Sequence, residues 1–371
     1  QVSRLFYEMK MSRAAAVLLP TFATTFRLVS PAFIGRAPVA RRHLFSASTM
    51  LDEAAELASR PLITLSDGTS HPSIGFGTYK CGSIPASASA SASSNTGEAN
   101  PPARDIVSEA LACGYRFLDC AQFYANEAEV GAAVADSGVP RSELYLASKV
   151  WTSTIESGPE AVLAQLDRTL TDLGTDYLDL YCIHWPVPGK HVAAYKALEP
   201  LVAAGKIRSL GLSNYSVEDY QELAASGLSV PPQINQIELN PFLYRKNTVD
   251  FFRAEGVLLQ SYRALRDGKQ FGHPLLVSIA ASHGVSTAQI LGRWCVQKGF
   301  IYIPKSVKKE RMEENARVFH FALKEEEMNQ LDDLTTPEAI ENFKGLYRKC
   351  VNRDTSKDGT FDGVKMDITN D

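Results

Sequence analysis

Four residues with acid–base side chains stand at or just beyond the ends of apolar runs. Asp119 follows Tyr115-Arg116-Phe117-Leu118, Tyr124 comes five residues later, Lys149 lies in "ASKVW" and His184 in "YCIHWP". A carboxylate that ends a core strand needs a polar partner, and the phenol that follows can point back over the same rim. Tyrosine, with an ordinary pKa of about 10, donates protons poorly near neutrality. An ammonium about 4 Å away is worth about 4 kcal/mol at an effective dielectric near 20, and would draw that pKa toward about 7. Asp119 would keep Lys149 charged and fixed, and His184 would hydrogen-bond a substrate oxygen beside the phenol and orient it. Such a set fits protonation of an oxygen that becomes negative as something adds to its carbon. Carbonyl reduction by hydride is that reaction. No side chain supplies hydride, so a nicotinamide cofactor is implied.

The elements that must position these groups alternate. Candidate strands are 115–121, 144–150, 177–185, 208–213, 233–239, 257–263 and 300–304, with "SIGFG" (73–77) as the first. Amphipathic helical stretches lie at 104–113, 127–137, 159–173, 191–205, 216–226, 247–255, 274–297 and 308–318. The strands are almost continuously apolar, as strands buried on both faces are. Such units in roughly 250 residues predict a (β/α)₈ TIM barrel, preceded by a β-hairpin whose turn is Asp67-Gly68. A doubly wound sheet would want a GxGxxG turn, and "GFGTYK" offers only GxG with no helix after it. In a barrel, chemistry belongs at the carboxyl ends of the strands. Those ends also carry Ser213-Asn214, Gln236, Tyr262 and Lys305-Ser306. Each has an ordinary structural explanation: a satisfied histidine, a solvated lysine, a helix N-cap for Ser213-Asn214. Their convergence on one rim is what points to a site.

The remaining rim residues suit a dinucleotide. Ser213, Asn214 and Gln236 can hydrogen-bond a carboxamide, and Tyr262 can stack on a flat ring. Lys305, Ser306 and Arg311 sit at the last strand–helix junction, a frequent phosphate site in barrels. Two fixed cations there favour an extra phosphate, hence NADPH/NADP⁺ over NADH. A phosphate-binding isomerase barrel would need a glycine-rich loop that "IPKSVKKER" does not have.

The chain resembles the aldo-keto reductases over about residues 62–343, through "GFGTYK", "GYRFLDCAQFYANEAEVG", "SKVW", "LDLYCIHWP", "RSLGLSNYS", "NQIELNPF" and "IPKSVKKERMEENARVF". The resemblance implies a (β/α)₈ barrel, NADPH-dependent reduction of a small-molecule aldehyde or ketone, and a monomer. It places the catalytic roles on Asp119, Tyr124, Lys149 and His184. It places cofactor contacts on Gly77, Thr78, Tyr79, Asp119, Ser213, Asn214, Gln236, Tyr262, Lys305, Ser306, Arg311, Glu314 and Asn315. Tyr79, Trp151 and Trp185 would line the substrate pocket with Tyr124 and His184, although core packing would also account for the tryptophans. Three departures stand out. Phe117 and Cys120 replace the family's usual His and Thr or Ser, and Cys120 beside Asp119 raises the question of oxidation. Arg263 stands where many members have Ser, beside the pyrophosphate path. An Ala/Ser-rich insertion follows "GTYK" over 81–102. Some barrels of this family serve as regulatory or structural subunits, so a non-catalytic cofactor-binding barrel is the alternative function.

Composition sets outer limits. The net charge of −4 gives no pull toward nucleic acid, and no apolar run reaches membrane-spanning length. Six cysteines show no CxxC pair and no metal-binding spacing, which argues against a structural metal and fits a reducing compartment. From Met9 to Met50 there is no acidic residue, while Lys10, Arg13, Arg27, Arg36, Arg41 and Arg42 are basic. Residues 1–50 have the composition of a transit peptide, for a mitochondrion ahead of a plastid. A disordered leader on a cytoplasmic protein is the other reading, and with Gln1 no initiator, Met9 or Met11 stands where a start is expected. The segment 344–371 is a polar tail, without helical periodicity from residue 345. In the family, the loop at this place folds over the barrel mouth.

Overall fold

The computed structural model describes residues 61–82 and 101–352. The leader, most of the 81–102 insertion and residues 353–371 lie outside the described residues. The strands are β1 (Leu62–Thr64), β2 (Ser70–Pro72), β3 (Phe76–Gly77), β4 (Phe117–Asp119), β5 (Tyr145–Val150), β6 (Leu178–Ile183), β7 (Ile207–Ser213), β8 (Ile234–Glu238), β9 (Leu258–Tyr262) and β10 (Ile301–Tyr302). From β3 to β10 each pairs in parallel with the next in sequence. A parallel bridge between Ile74 and Tyr302 joins the last strand to the first. There the Gly75 N–H donates to the Tyr302 carbonyl (2.9 Å) and the Gly77 N–H to that of Pro304 (3.0 Å). The ring is closed, and the predicted barrel is the observed one.

Its lumen is filled by side chains. Phe117, Tyr145, Ala147, Leu180, Cys182, Ile234, Ile301 and Ile303 form one buried cluster inside the ring. A Cβ on Gly75 would lie 2.1 Å from the Phe117 ring, so only glycine admits that ring. Phe117 meets Tyr145 edge-on, with centroids 5.2 Å apart. It is a lumen filler below the rim, two residues before Asp119.

The hairpin β1–β2 pairs antiparallel through the expected turn, where Gly68 takes φ 84°. It plugs the amino-terminal end of the barrel. The Asp67 N–H donates to Gln233 Oε1 (2.8 Å), and the Ser209 hydroxyl donates to Asp67 Oδ2 (2.6 Å). His71 from β2 is fully buried, its Nδ1 at 2.7 Å from the Pro72 carbonyl and its Nε2 at 2.7 Å from Gln260 Nε2. A neutral ring satisfies both contacts: Nδ1–H donates to the carbonyl and Nε2 accepts from the amide. Burial pushes its pKa down to about 3, against a weaker upward pull from the Pro72 carbonyl. The unfolded chain therefore takes up a proton below about pH 6.5 that the folded chain refuses, and stability falls with pH by about 1.4 kcal/mol per unit in that range. Urea unfolding of His71→Gln between pH 4 and 7 is expected to show a pH slope smaller by about one proton than wild type. Equal slopes would contradict this role.

Helices cover the outside. Most arise as predicted: α1 (Ala103–Ala112), α2 (Glu127–Asp136), α4 (Pro159–Leu173), α5 (His191–Ala203), α6 (Val217–Ala225), α7 (Lys246–Ala254) and α10 (Lys309–Ala316). A short α3 (Thr152–Glu156) precedes α4. The single helix expected over 274–297 is two, α8 (Pro274–His283) and α9 (Thr287–Gln297). Gly284 takes φ 65° and ends the first, and a capping box between Ser286 and Gln289 opens the second. Like α3, two more helices were not expected, α11 (Glu325–Asp332) and α12 (Pro337–Asn352). The last crosses the boundary placed at residue 343, and corrects the expectation of a tail without helical character. Its barrel-facing stripe is Ile340, Phe343, Tyr347 and Cys350, spaced i, i+3, i+7 and i+10. Counting from residue 345 cuts that stripe in half and hides it.

Candidate active site

Parallel register sets the rim. Gly77 pairs with Asp119, Asp119 with Ala147, Lys149 with Cys182, and Ser213 with Gln236. Asp119 and Lys149 thus both reach the carboxyl-end mouth, and His184 follows one residue beyond β6. A short 3₁₀ turn, Gln122–Tyr124, carries the phenol back over the opening, and Ala125 ends it with φ 55°.

Lys149 is buried, and its ammonium spends three hydrogen bonds: Asp119 Oδ1 at 2.8 Å, the Cys120 carbonyl at 2.7 Å and Tyr124 Oη at 3.1 Å. Burial opposes the lysine charge, but the Asp119 carboxylate and Tyr124 more than offset it and hold its pKa above the ordinary range. Asp119 also accepts from the Gln236 amide (2.8 Å). The phenol departs from the sequence expectation. Burial drives the Tyr124 pKa above that of an ordinary tyrosine, and the neighbouring ammonium pulls it down by less. The expectation of a phenol drawn toward neutrality is corrected here, because desolvation of the phenolate outweighs the ammonium's attraction. The phenol keeps its proton at neutral pH, and the ammonium beside it is placed to stabilise a phenolate.

His184 is buried and its pKa is held well below the usual value, first by burial and then by the Lys149 charge. The ring is neutral, and its Nδ1 has no hydrogen-bond partner among the described residues. Its centroid lies 5.9 Å from that of Tyr124, nearly perpendicular. Phenol and imidazole therefore face one small volume.

Other predicted residues gather around that volume. Tyr79 sits 5.1 Å from Tyr124, and Trp151 meets His184 edge-on at 5.0 Å. Thr78 anchors the loop, its N–H and hydroxyl both donating to the Asp119 carbonyl (3.1 and 2.9 Å). Asn214, at φ 60°, donates to the His184 carbonyl (3.0 Å) and accepts from the Tyr262 hydroxyl (2.7 Å). The Ser213 hydroxyl donates to the Gln236 carbonyl (3.0 Å). Trp185 packs with Trp151 and Tyr347 in a cluster of their own. Lys305 is half-buried, its pKa lowered by burial and by the facing Lys80, while Cys81 and Asp267 pull it up. Arg311 is exposed and forms no ion pair among the described residues. Glu314 is half-buried and Asn315 buried, both on α10, and Ser306 is buried ahead of that helix.

Two sequence readings change. Arg263 is held by Glu238 and Asp267 at 3.0 Å each, so a phosphate would have to compete with two carboxylates for it. Cys120 is fully buried and burial pushes its thiol pKa far up, which leaves it protonated and removes the basis for an oxidation-sensitive site. Sequence reasoning also missed residues. Phe123 stacks on Trp151 at 4.0 Å and 24°, adding a wall to the pocket. Its position next to Tyr124 was the available signal. Tyr347 was missed with its helix, and Lys80 because a lysine after a strand reads as solvated.

A model of the aldo/keto reductase family matches residues 73–336. The chain belongs to that family. An aldo-keto reductase of Mycobacterium sp. (strain KMS) is 40% identical over 278 residues, covering 74% of this chain and 93% of the relative. The glyoxal reductase of Bacillus subtilis (strain 168) is 36% identical over 278 residues, covering 75% and 94%. The crystal structure of Bombyx mori aldo-keto reductase in complex with NADP matches this aldo-keto reductase with a TM-score of 0.66 at 28% identity, over 74% of this chain and 93% of that one.

Proposed function

We propose that this aldo-keto reductase reduces aldehydes or ketones to alcohols with NADPH, Tyr124 donating the proton. The observation that carries the reading is the three-point seat of the Lys149 ammonium on Asp119, Cys120 and Tyr124. Every hydrogen of the ammonium is committed, so the lysine is fixed where a phenolate would form. A carbonyl oxygen placed between Tyr124 and His184 would accept from the phenol and be oriented by the neutral imidazole. Phe123, Trp151 and Trp185 give the carbon side of the substrate an apolar wall and exclude water.

The residues present fit a nicotinamide dinucleotide. Ser213, Asn214 and Gln236 cluster beside Asp119 with amide and hydroxyl groups suited to a carboxamide, and the ring of Tyr262 lies beside them. Lys305 stands just before α10 and Arg311 in its first turn, where backbone N–H groups favour an anion. Bound there, the reduced dinucleotide supplies the hydride that the protein lacks. The NADP in the Bombyx mori neighbour supports this choice of cofactor.

Oxidation of NADPH against a panel of carbonyl compounds tests the activity. A protein that binds NADPH yet oxidises none of it would favour the non-catalytic barrel. Phosphate selectivity has its own test. Arg311→Ala is expected to raise the NADPH dissociation constant about tenfold or more while changing that of NADH less than about twofold, since a charge-assisted contact to phosphate is lost in one case only. Equal losses, measured by fluorescence quenching, would count against a 2′-phosphate role.

A further inference from the structure

The helix α12 does more than lie over the mouth. Ile340 and Phe343 pack with Leu243 at its foot, and Tyr347 and Cys350 pack with Trp185 and Trp151 over the pocket. Tyr347 is buried, and its hydroxyl donates to Asp219 Oδ2 at 2.9 Å. That same oxygen accepts from the Ser216 N–H and the Ser216 hydroxyl, both at 2.8 Å. Asp219 returns its own N–H to Ser216 Oγ at 3.2 Å, closing the capping box that starts α6. Three donors thus converge on one oxygen of a buried carboxylate. Ser216 ends the turn Ser213-Asn214-Tyr215-Ser216. Within it Asn214 takes φ 60°, a left-handed conformation that asparagine tolerates and that its bonds to the His184 carbonyl and the Tyr262 hydroxyl hold in place.

We propose that Tyr347 is a positioning residue that couples the C-terminal helix to the Ser213–Ser216 turn through Asp219, so that closure of the mouth and shaping of the nicotinamide-side turn rise and fall together. The coupling in the free protein follows from the contacts alone; its effect on NADPH rests on the function proposed above. The helix reports on the turn because the Tyr347 hydroxyl helps to hold the Asp219 carboxylate in the orientation that accepts from Ser216, and the carboxylate is less constrained once that donor leaves. Coupling free energies are reciprocal, so a ligand that orders the turn must also steady the helix.

The test is hydrogen exchange on the full chain, wild type and Tyr347→Phe. Phenylalanine keeps the ring against Trp185, where the centroids are 5.8 Å apart, and removes only the hydroxyl. Without cofactor, amides of residues 213–219 and of 337–352 are expected to exchange about tenfold faster in the variant. Faster exchange confined to 337–352 would overturn the coupling and leave Tyr347 a mere packing contact. In wild type, saturating NADPH is expected to slow exchange in both segments, and Tyr347→Phe to weaken NADPH about tenfold. Protection of 213–219 with no change in 337–352 would also overturn it, and needs no variant. If NADPH protects neither segment and is not bound, the proposed function fails, while the cofactor-free comparison still decides the coupling.

Discussion

Tyr124→Phe is expected to lower kcat for aldehyde reduction by about 10²–10⁴-fold, the range for a lost general acid, with NADPH affinity within about twofold of wild type. The contrast follows from what the substitution leaves alone. The ring keeps its place against Tyr79 at 5.1 Å and His184 at 5.9 Å. Lys149 keeps Asp119 at 2.8 Å and the Cys120 carbonyl at 2.7 Å. Only the proton and its oxygen go. His184 cannot stand in, because burial and the Lys149 charge keep it from holding a transferable proton near neutral pH. Steady-state rates with a reactive aldehyde, alongside quenching titrations with NADPH, check both halves. Turnover within about tenfold of wild type would remove Tyr124 from the role of donor.

Lys149→Met is expected to damage stability and chemistry together. Lysine and methionine are both long and unbranched, so the loss is mainly electrostatic. Asp119 would remain buried with the Gln236 amide and no cation, and the Cys120 carbonyl would lose its donor. Breaking one partner of a buried pair costs about 3–5 kcal/mol, which for a domain of this size lowers Tm by about 10 °C. Turnover should fall at least as far as in Tyr124→Phe, since the phenolate would form with no ammonium beside it. The raised Lys149 pKa means that the charge is present across the physiological range, so neutral pH cannot mask the effect. Adding Asp119→Asn should recover much of the Tm and none of the activity. A single variant that melts within about 2 °C of wild type would mean that the carboxylate and ammonium do not depend on each other.

The barrel was legible because its signals are local and repeated. Apolar strands buried on both faces alternate with amphipathic helices, and the polar residues that interrupt the apolar runs at their carboxyl ends mark the rim. Asp119, Lys149, His184, Ser213 and Gln236 could each be dismissed alone, and it was their common place in the repeat that singled them out. The missed features share a cause. The stripe of α12 was cut by a boundary drawn inside it. The break after α8 depends on Gly284, which a periodic apolar pattern reads through. The partners of Arg263, Glu238 and Asp267, become visible only where the loop after β9 turns back on itself, with Arg263, Arg266 and Asp267 all at positive φ.

What the sequence determined by itself was the architecture, the family and the place of the candidate acid–base residues on one rim, because periodicity and motif spacing are properties of the chain. What only the tertiary structure decided was their electrostatic state. The same Tyr–Lys pair could yield an acidified phenol or a retained proton, and the outcome turns on how much water the fold removes. Desolvation is a sum over everything packed around a group, Tyr79 and His184 among it for Tyr124, and no spacing along the chain encodes that sum.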